Sequence, residues 1–243
     1  MKEVPLYKQV KALMVTSLTN NEWRLGERIP TEPELASKYG VGISTVRAAV
    51  AELEQLGVLS RKQGKGTYVV VPSRHTDLHR FFRIAAVDGS KVSAHSELLS
   101  FRRQKADRMT RDALQLTGKA ASQSVYALTN VMRLSGTPVA VSEFCIPEKL
   151  FPKLTKEVFL SAGLAPFGLY QKHYGISIIR TVEHLFAVPA DALAARHLAV
   201  AQSRPLLEVQ RVAYTFDDVP VEFRRSKVLT ENHCYVFEEG GVT

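Results

Sequence analysis

Ser44, Thr45 and Arg47 lie within one helical turn of each other, and Arg61, Lys62 and Lys65 follow on a segment punctuated by Gly64 and Gly66. Hydroxyls bind phosphate oxygens or base edges, and an arginine fork can hold guanine through two parallel hydrogen bonds. Lysines at the tip of a turn reach backbone phosphates, and a glycine such as Gly64 lets the tip approach closely. These residues could recognise a polyanionic duplex. A second set stands in apolar, strand-like stretches: Arg133, Glu143 and Glu222, with Ser226 near the last of them. One arginine and two carboxylates supply donors and acceptors suited to a small polar ligand, such as a sugar, an amino-acid derivative or an organic acid. The plainer alternative is a row of exposed ion pairs on the wet side of an antiparallel sheet, worth ~0–1 kcal/mol each.

The first set needs helices to position it. Leu6, Val10, Leu13, Met14 and Leu18 recur at helical spacing and predict a one-faced helix. Thr31-Glu32-Pro33-Glu34 predicts a second start, with a capping hydroxyl three residues before a Glu and Pro in the first turn. Gly40 stops that helix. A third begins near Ser44, with Val46, Ala49, Val50, Leu53 and Leu56 as its apolar stripe and Gly57 as its end. Helix, tight glycine turn, helix is the helix-turn-helix arrangement. Val58–Val71 then reads as a short basic hairpin, against which a plain three-helix protein-interaction module loses ground. Gly64-Lys65-Gly66-Thr67 is not a nucleotide-phosphate loop, because Leu59 replaces the first glycine of that motif and Gly66 its hydroxyl residue.

After a polar stretch at 72–79 the pattern changes to long strands with few helices. Val125–Leu134 and Pro138–Ile146 flank a three-residue turn, Ser135-Gly136-Thr137, which would set Arg133 near Val139 and Thr129 near Glu143. Arg133, Val131, Val141 and Glu143 then share one face. Leu206–Thr215 and Pro220–Val228 form a second hairpin, on which Glu222, Arg224 and Ser226 share a face. Strands are also predicted at Ile176–Ala187 and Leu98–Arg103, and helices at Phe167–Tyr174 and Pro189–Leu198.

The 243 residues carry a net charge of +8, and the first 75 hold 11 basic against 7 acidic side chains, so charge is densest where the helix-turn-helix lies. No apolar run approaches the ~18–20 residues that cross a bilayer, and the start lacks a signal-peptide pattern, so a cytoplasmic chain without membrane partners is expected. Cys145 and Cys234 read as buried reduced thiols. His75 and His79 have no third ligand nearby, so neither a metal nor a cofactor is expected. No nucleophile–base arrangement can be assembled from the sequence, which argues against an enzyme.

Pro5-Leu6-Tyr7, Leu25–Glu32, Glu34-Leu35-Ala36, Thr45-Val46-Arg47 and Gly57–Val69, in order and at matching spacing, resemble the winged helix-turn-helix of GntR-type bacterial transcription regulators. That resemblance implies DNA contacts from Ser44, Thr45, Arg47 and Gly64. Many members carry Arg where this chain has Pro33 and a basic residue where it has Ile43, so the family's common operator is in doubt. Ile43 could meet a thymine methyl or simply pack. Residues from about 90 to 238 resemble the UTRA effector-binding domain of the HutC subfamily, whose fold is similar to chorismate lyase. Arg133-Leu134, Gly136–Val139, Glu143, Leu169-Tyr170, Arg211 and Pro220-Val221-Glu222 carry that likeness. It implies ligand contacts from Arg133, Glu143 and Glu222, and secondarily from Tyr170 and Ser226. Val131 stands where binders of phosphorylated sugars often have a second arginine, which speaks against a phosphate ligand.

The expectation is an α+β chain: a winged helix-turn-helix at 1–71, a linker at 72–79, and a chorismate-lyase-like antiparallel sheet domain with helices at 80–243. Its expected role is a homodimeric regulator, a repressor, of a palindromic double-stranded operator, controlled by a small polar metabolite through the linker. The alternative is a constitutive dimeric DNA-binding protein with no effector.

Overall fold

The computed structural model describes residues 4–20, 22–70, 83–90, 93–118, 123–161, 163 and 166–237, and elements are numbered over these. The expected linker at 72–79, with His75 and His79, lies outside the described residues.

Three helices open the chain: α1 (Leu6–Thr19), α2 (Glu32–Tyr39) and α3 (Ile43–Gln55). Helix α1 buries Val10, Met14, Ser17 and Leu18, whereas Leu6 and Leu13 are 52% and 50% exposed. The expected stripe is thus one row too wide. Leu6 and Leu13 sit seven residues apart on a row that turns away from the core, and Ser17 takes the place of an apolar residue. Helix α2 starts as expected, with the Thr31 N–H donating to the Glu34 carboxylate at 2.7 Å and Pro33 in the first turn. Gly40 ends it at φ +65°, a left-handed conformation that favours glycine. The wing is β1 (Leu59–Lys62) paired antiparallel with β2 (Gly66–Val69). The Ile29 N–H donates to the Thr67 carbonyl at 2.9 Å, tying the wing to the segment before α2. Val10, Met14, Leu35, Val46, Leu53 and Leu59 form the core beneath.

The remaining elements are β3 (Ile84–Ala86), β4 (Ala94–Lys105), α4 (Arg108–Ala113), β5 (Ser124–Leu134), β6 (Thr137–Pro147), α5 (Lys156–Leu160), α6 (Pro166–Tyr174), β7 (Arg180–Pro189), α7 (Ala192–Leu198), β8 (Pro205–Tyr214), β9 (Pro220–Val228) and β10 (His233–Tyr235). Six strands form one antiparallel sheet in the order β4-β5-β6-β9-β8-β7, while β3 pairs with β10 in a separate ribbon. Chain neighbours β5–β6 and β8–β9 are the two expected hairpins. The sheet buries both faces. On one side Phe144, Leu128 and Ile146 pack against Phe159 of α5 and Phe167 and Tyr170 of α6. On the other, Val131 and Val141 pack against Ala194 and Leu198 of α7.

The β5–β6 turn is tighter than expected. Leu134 pairs with Thr137 across a two-residue turn, with Ser135 and Gly136 at φ +47° and +86°. Positive φ at both central residues matches the right-handed twist of the flanking strands. A bulge then shifts the register, so Arg133 pairs with Pro138 rather than Val139, while Thr129 does oppose Glu143.

Candidate functional site

The N-terminal end of α3 carries Ser44 exposed, Thr45 half-buried and Arg47 exposed, opposite buried Val46, Ala49 and Val50. Ile43 is 43% exposed, so it is not spent on packing. Arg47 Nε donates to Glu32 at 2.9 Å, and Arg61 of β1 donates to the other oxygen of the same carboxylate at 2.9 Å. One acidic side chain on α2 therefore ties the recognition helix to the wing. The Lys62 ammonium lies 4.6 Å from the centre of the Tyr68 ring, a cation–π contact that leaves Lys62 exposed. Gly64 and Lys65 form the exposed wing tip, with Gly64 at φ +70° and open space around it. All seven residues singled out in this part of the sequence lie on α3 or the wing.

The second site grows from sheet register. Residues directly opposite in an antiparallel pair point to the same face. One cross-strand row reads Glu183, Arg211, Arg224, Phe144 across β7, β8, β9 and β6. The next reads Val209, Ser226, Ser142, Asn130 across β8, β9, β6 and β5. Both rows share the face covered by α5, α6 and the β3–β10 ribbon, and they form a polar floor there. Two recesses open on it. Arg83, Arg211, Ser142, Ser226 and Tyr235 line one, Ser96, Asn130, Phe144 and Phe159 line the other, and Arg224 lines both.

A buried chain of polar contacts holds this floor. The Tyr170 hydroxyl donates to Glu222 Oε2 at 2.7 Å, and Arg224 Nε donates to Glu222 Oε1 at 2.8 Å. Glu222 and Tyr170 have no exposed surface. The Arg224 guanidinium lies 4.0 Å from the centre of the Phe144 ring. Burial, together with the adjacent Glu222 charge, pushes the Tyr170 phenol well above its usual range, so it stays a donor. Arg211 pairs with Glu183, which also lies 3.7 Å from Arg83. The Ser142 and Ser226 hydroxyls meet at 2.8 Å, and Asn130 donates to Ser96 at 2.8 Å. Asn130 Oδ1 and the Tyr235 hydroxyl are buried with no hydrogen-bond partner among the described residues.

Tyr170, Glu222 and Ser226 come together here, but Arg133 and Glu143 do not. Glu143 opposes Arg225, one residue out of step with Ser226 and Arg224, so it points to the α7 side of the sheet and meets Arg225 at 3.3 Å. Arg133 alternates with Val131 on that same side and lies 3.6 Å from Glu97. The expected five-residue cluster is split between two faces of one sheet. A one-residue offset reverses every side chain, and Ser142 rather than Glu143 reaches the recessed face. Missing from the expected site are Arg211, Arg224, Ser142, Asn130, Arg83 and Tyr235. Alternation along Pro220–Val228 already put Arg224 between Glu222 and Ser226. Arg83, just before β3, and Tyr235, on β10, had no such signal, because those two strands are three residues long and pair across most of the chain.

Among the described residues no group of three His, Cys, Asp or Glu side chains is placed to hold a metal, and no helix is long and apolar enough to cross a membrane. Cys145 and Cys234 are free thiols. Burial pushes the Cys145 thiol up to about 11. At pH 8 only about a thousandth of it is then thiolate. Iodoacetamide should leave Cys145 unmodified in the folded chain and alkylate it once urea unfolds the protein, as read by peptide mass spectrometry.

A helix-turn-helix with a basic wing, joined to a sheet domain with a polar recess, defines a DNA-binding transcription regulator. Residues 6–69 match the family model of bacterial regulatory proteins of the gntR family, and residues 89–233, more than half of the chain, match the UTRA domain. The chain belongs to this family: it is a DNA-binding transcriptional repressor of the GntR type with a UTRA domain, the HutC combination, and not an enzyme. It is 27% identical over 235 residues to the mannosyl-D-glycerate transport/metabolism system repressor MngR of Escherichia coli K12, covering 95% of this chain and 94% of that one. It is 24% identical over 234 residues to the transcriptional repressor NagR of Bacillus subtilis 168, covering 96% and 94%. A crystal structure of the ligand-binding domain attributed to a GntR-family regulator of Bordetella bronchiseptica superposes with a TM-score of 0.59 at 32% identity, over 65% of this chain and 96% of that one.

Proposed function

We propose that this repressor binds a palindromic operator as a homodimer in the cytoplasm and releases it when a small polar metabolite fills the recessed face of the sheet. Ser44, Thr45 and Arg47 read the major groove, while Arg61, Lys62, Gly64 and Lys65 hold phosphates or the minor groove. Ser226, with Arg224, Ser142 and Asn130 beside it, lines the effector site, and the fully buried Tyr170 and Glu222 hold Arg224 in place from beneath. The observation that carries this reading is the unpartnered Asn130 carbonyl, buried at 8% exposure in a recess that Arg224 also lines. A buried acceptor left without a donor costs free energy that a ligand hydroxyl or amine would recover.

The route to the DNA-binding part need not run through residues 72–79 alone. Tyr170 lies on α6, bonded to Glu222 on the recess floor. Gly175 follows directly after α6 and faces the Thr19 carbonyl at the end of α1, where an added Cβ would stand 3.0 Å from the oxygen. Ile179 and Phe216 pack against the core of the N-terminal helices. Movement of α6 on ligand binding would therefore press on α1. Gly175→Ala should weaken metabolite-driven operator release several-fold, measured by fluorescence anisotropy. Gly89→Ala, at the similar φ of +71° but in open space, should cost only about 1 kcal/mol of stability and leave release intact.

The test is thermal unfolding and operator binding against sugars, sugar acids, amino acids and organic acids. A ligand at ~100 times its dissociation constant stabilises by roughly 2.7 kcal/mol. A compound that raises the melting temperature and weakens operator binding identifies the effector class. Operator affinity untouched by the panel and by whole metabolite extract would favour a constitutive dimeric DNA-binding protein.

A further inference from the structure

Residues 26–29 run antiparallel alongside β2. The Ile29 N–H donates to the Thr67 carbonyl, the Val69 N–H donates to the Glu27 carbonyl, and Arg28 stands directly beside Tyr68. Tyr68 in turn opposes Ser60, and Gly66 opposes Lys62. Side chains alternate along these strands, so Leu59 and Val69 face the core while Arg28, Lys62, Gly66 and Tyr68 share the outward face. Gly66 has φ +107°, and a Cβ built on it would stand 2.6 Å from Arg28 Nε. The missing side chain is what leaves room for the Arg28 guanidinium against the wing. On the same face the Lys62 ammonium lies over the Tyr68 ring, and the Tyr68 hydroxyl donates to the Lys65 carbonyl at 3.1 Å.

The cations of this surface divide into two groups. Arg47 and Arg61 are held by Glu32, and Arg61 also lies 3.6 Å from Glu54. Arg28, Lys62 and Lys65 are exposed, and none of them forms an ion pair among the described residues. Glu34 does not neutralise Arg28, because the Thr31 hydroxyl and N–H both donate to one oxygen of its carboxylate at 2.7 Å. Those bonds hold the Glu34 carboxyl below its usual range, with a smaller push from the Arg28 charge. Like charges on one face without a carboxylate repel, and an anion between them relieves the repulsion. Glu32 reaches α3 and the wing from the first turn of α2, so the segment that carries Arg28 into α2 runs beside both.

Resting on the reading of the wing above, we propose that Arg28 is a further DNA contact, a phosphate-binding residue that Gly66 seats beside Lys62 on the outward face of the wing. Its guanidinium fork grips a backbone phosphate, which adds affinity without sequence preference. Gly66 is thereby spent on the arginine, whereas Gly64, with open space around it, keeps the tip free to approach a groove.

The test measures binding of the full chain across a range of salt, to a fluorescent duplex that it has selected from a random pool and to an unrelated duplex. Arg28→Gln should flatten the slope of log affinity against log salt by about one, a loss of about fivefold near 0.15 M that fades toward 1 M and is equal on both duplexes. Arg28→Lys should keep the slope, and neither variant should change the bases chosen in a repeated selection. Gly66→Ala alters no charge, yet it should flatten the slope as Arg28→Gln does, and the double variant should lose no more. Melting temperatures show that each variant is folded. A slope unchanged by Arg28→Gln but flattened by Lys62→Gln would overturn the Arg28 contact and leave the wing reading standing. A slope unchanged by both would overturn the two together. An equal loss at every salt would make Arg28 a brace of the wing, and altered base choice would make it a reader of sequence; either result overturns the phosphate contact. Equal flattening by Arg108→Gln, on exposed α4, would reduce the effect to overall charge and overturn it as well. A slope left intact by Gly66→Ala would overturn Gly66 as the seat.

Discussion

Replacing Glu222 with alanine should cost about 3–5 kcal/mol of folding stability, the range for leaving a buried charge without its partner. The loss would be read as a fall in the urea midpoint at unchanged slope. The carboxylate has no exposed surface and accepts from both Tyr170 and Arg224. Its removal strands a buried guanidinium and a buried phenol together. Tyr170→Phe should cost less, about 1–3 kcal/mol, because only one oxygen of Glu222 then lacks a donor. The two losses should not add, since both act on one carboxylate, and the double variant should fall well short of their sum. Full additivity would mean that Tyr170 and Glu222 are not energetically coupled, and α6 would lose its connection to the recess floor.

Arg47→Ala should weaken specific operator binding by about 1–3 kcal/mol and relax the base preference at the position it contacts. Binding to unrelated duplex should change much less. An equal loss on every sequence would make Arg47 a phosphate contact instead. In the free protein Arg47 rests on Glu32, which Arg61 also holds, so any contact of Arg47 with DNA would be made in exchange for that pair. The measured loss is therefore net of a surface ion pair worth ~0–1 kcal/mol. Lys65→Ala, at the wing tip, should leave base preference alone and reduce the salt dependence of binding by about one counterion.

The N-terminal helices were legible because each signal is local. The Thr31–Glu34 cap, the left-handed stop at Gly40 and the stripe of α3 each involve residues within a few positions of one another. The hairpins were legible for the same reason, down to the pairing of Thr129 with Glu143. The polar cluster on the sheet was legible only in part. Alternation correctly put Glu222, Arg224 and Ser226 together, but it carried no information about which side of β6 would meet them.

By itself the sequence determined the helix-turn-helix, the wing, the long hairpins and, through its ordered motifs, the family. Only the tertiary structure decided the rest. It set Ser142 beside Ser226 and turned Glu143 and Arg133 to the opposite side. It also brought β3 against β10 and laid α6 over Glu222, with the helix end against α1. Period-two patterning states that neighbours on a strand face opposite ways, and it leaves open which way is in. That choice is made when strands far apart in the chain pair and when helices bury one face, through contacts whose register a single residue can invert.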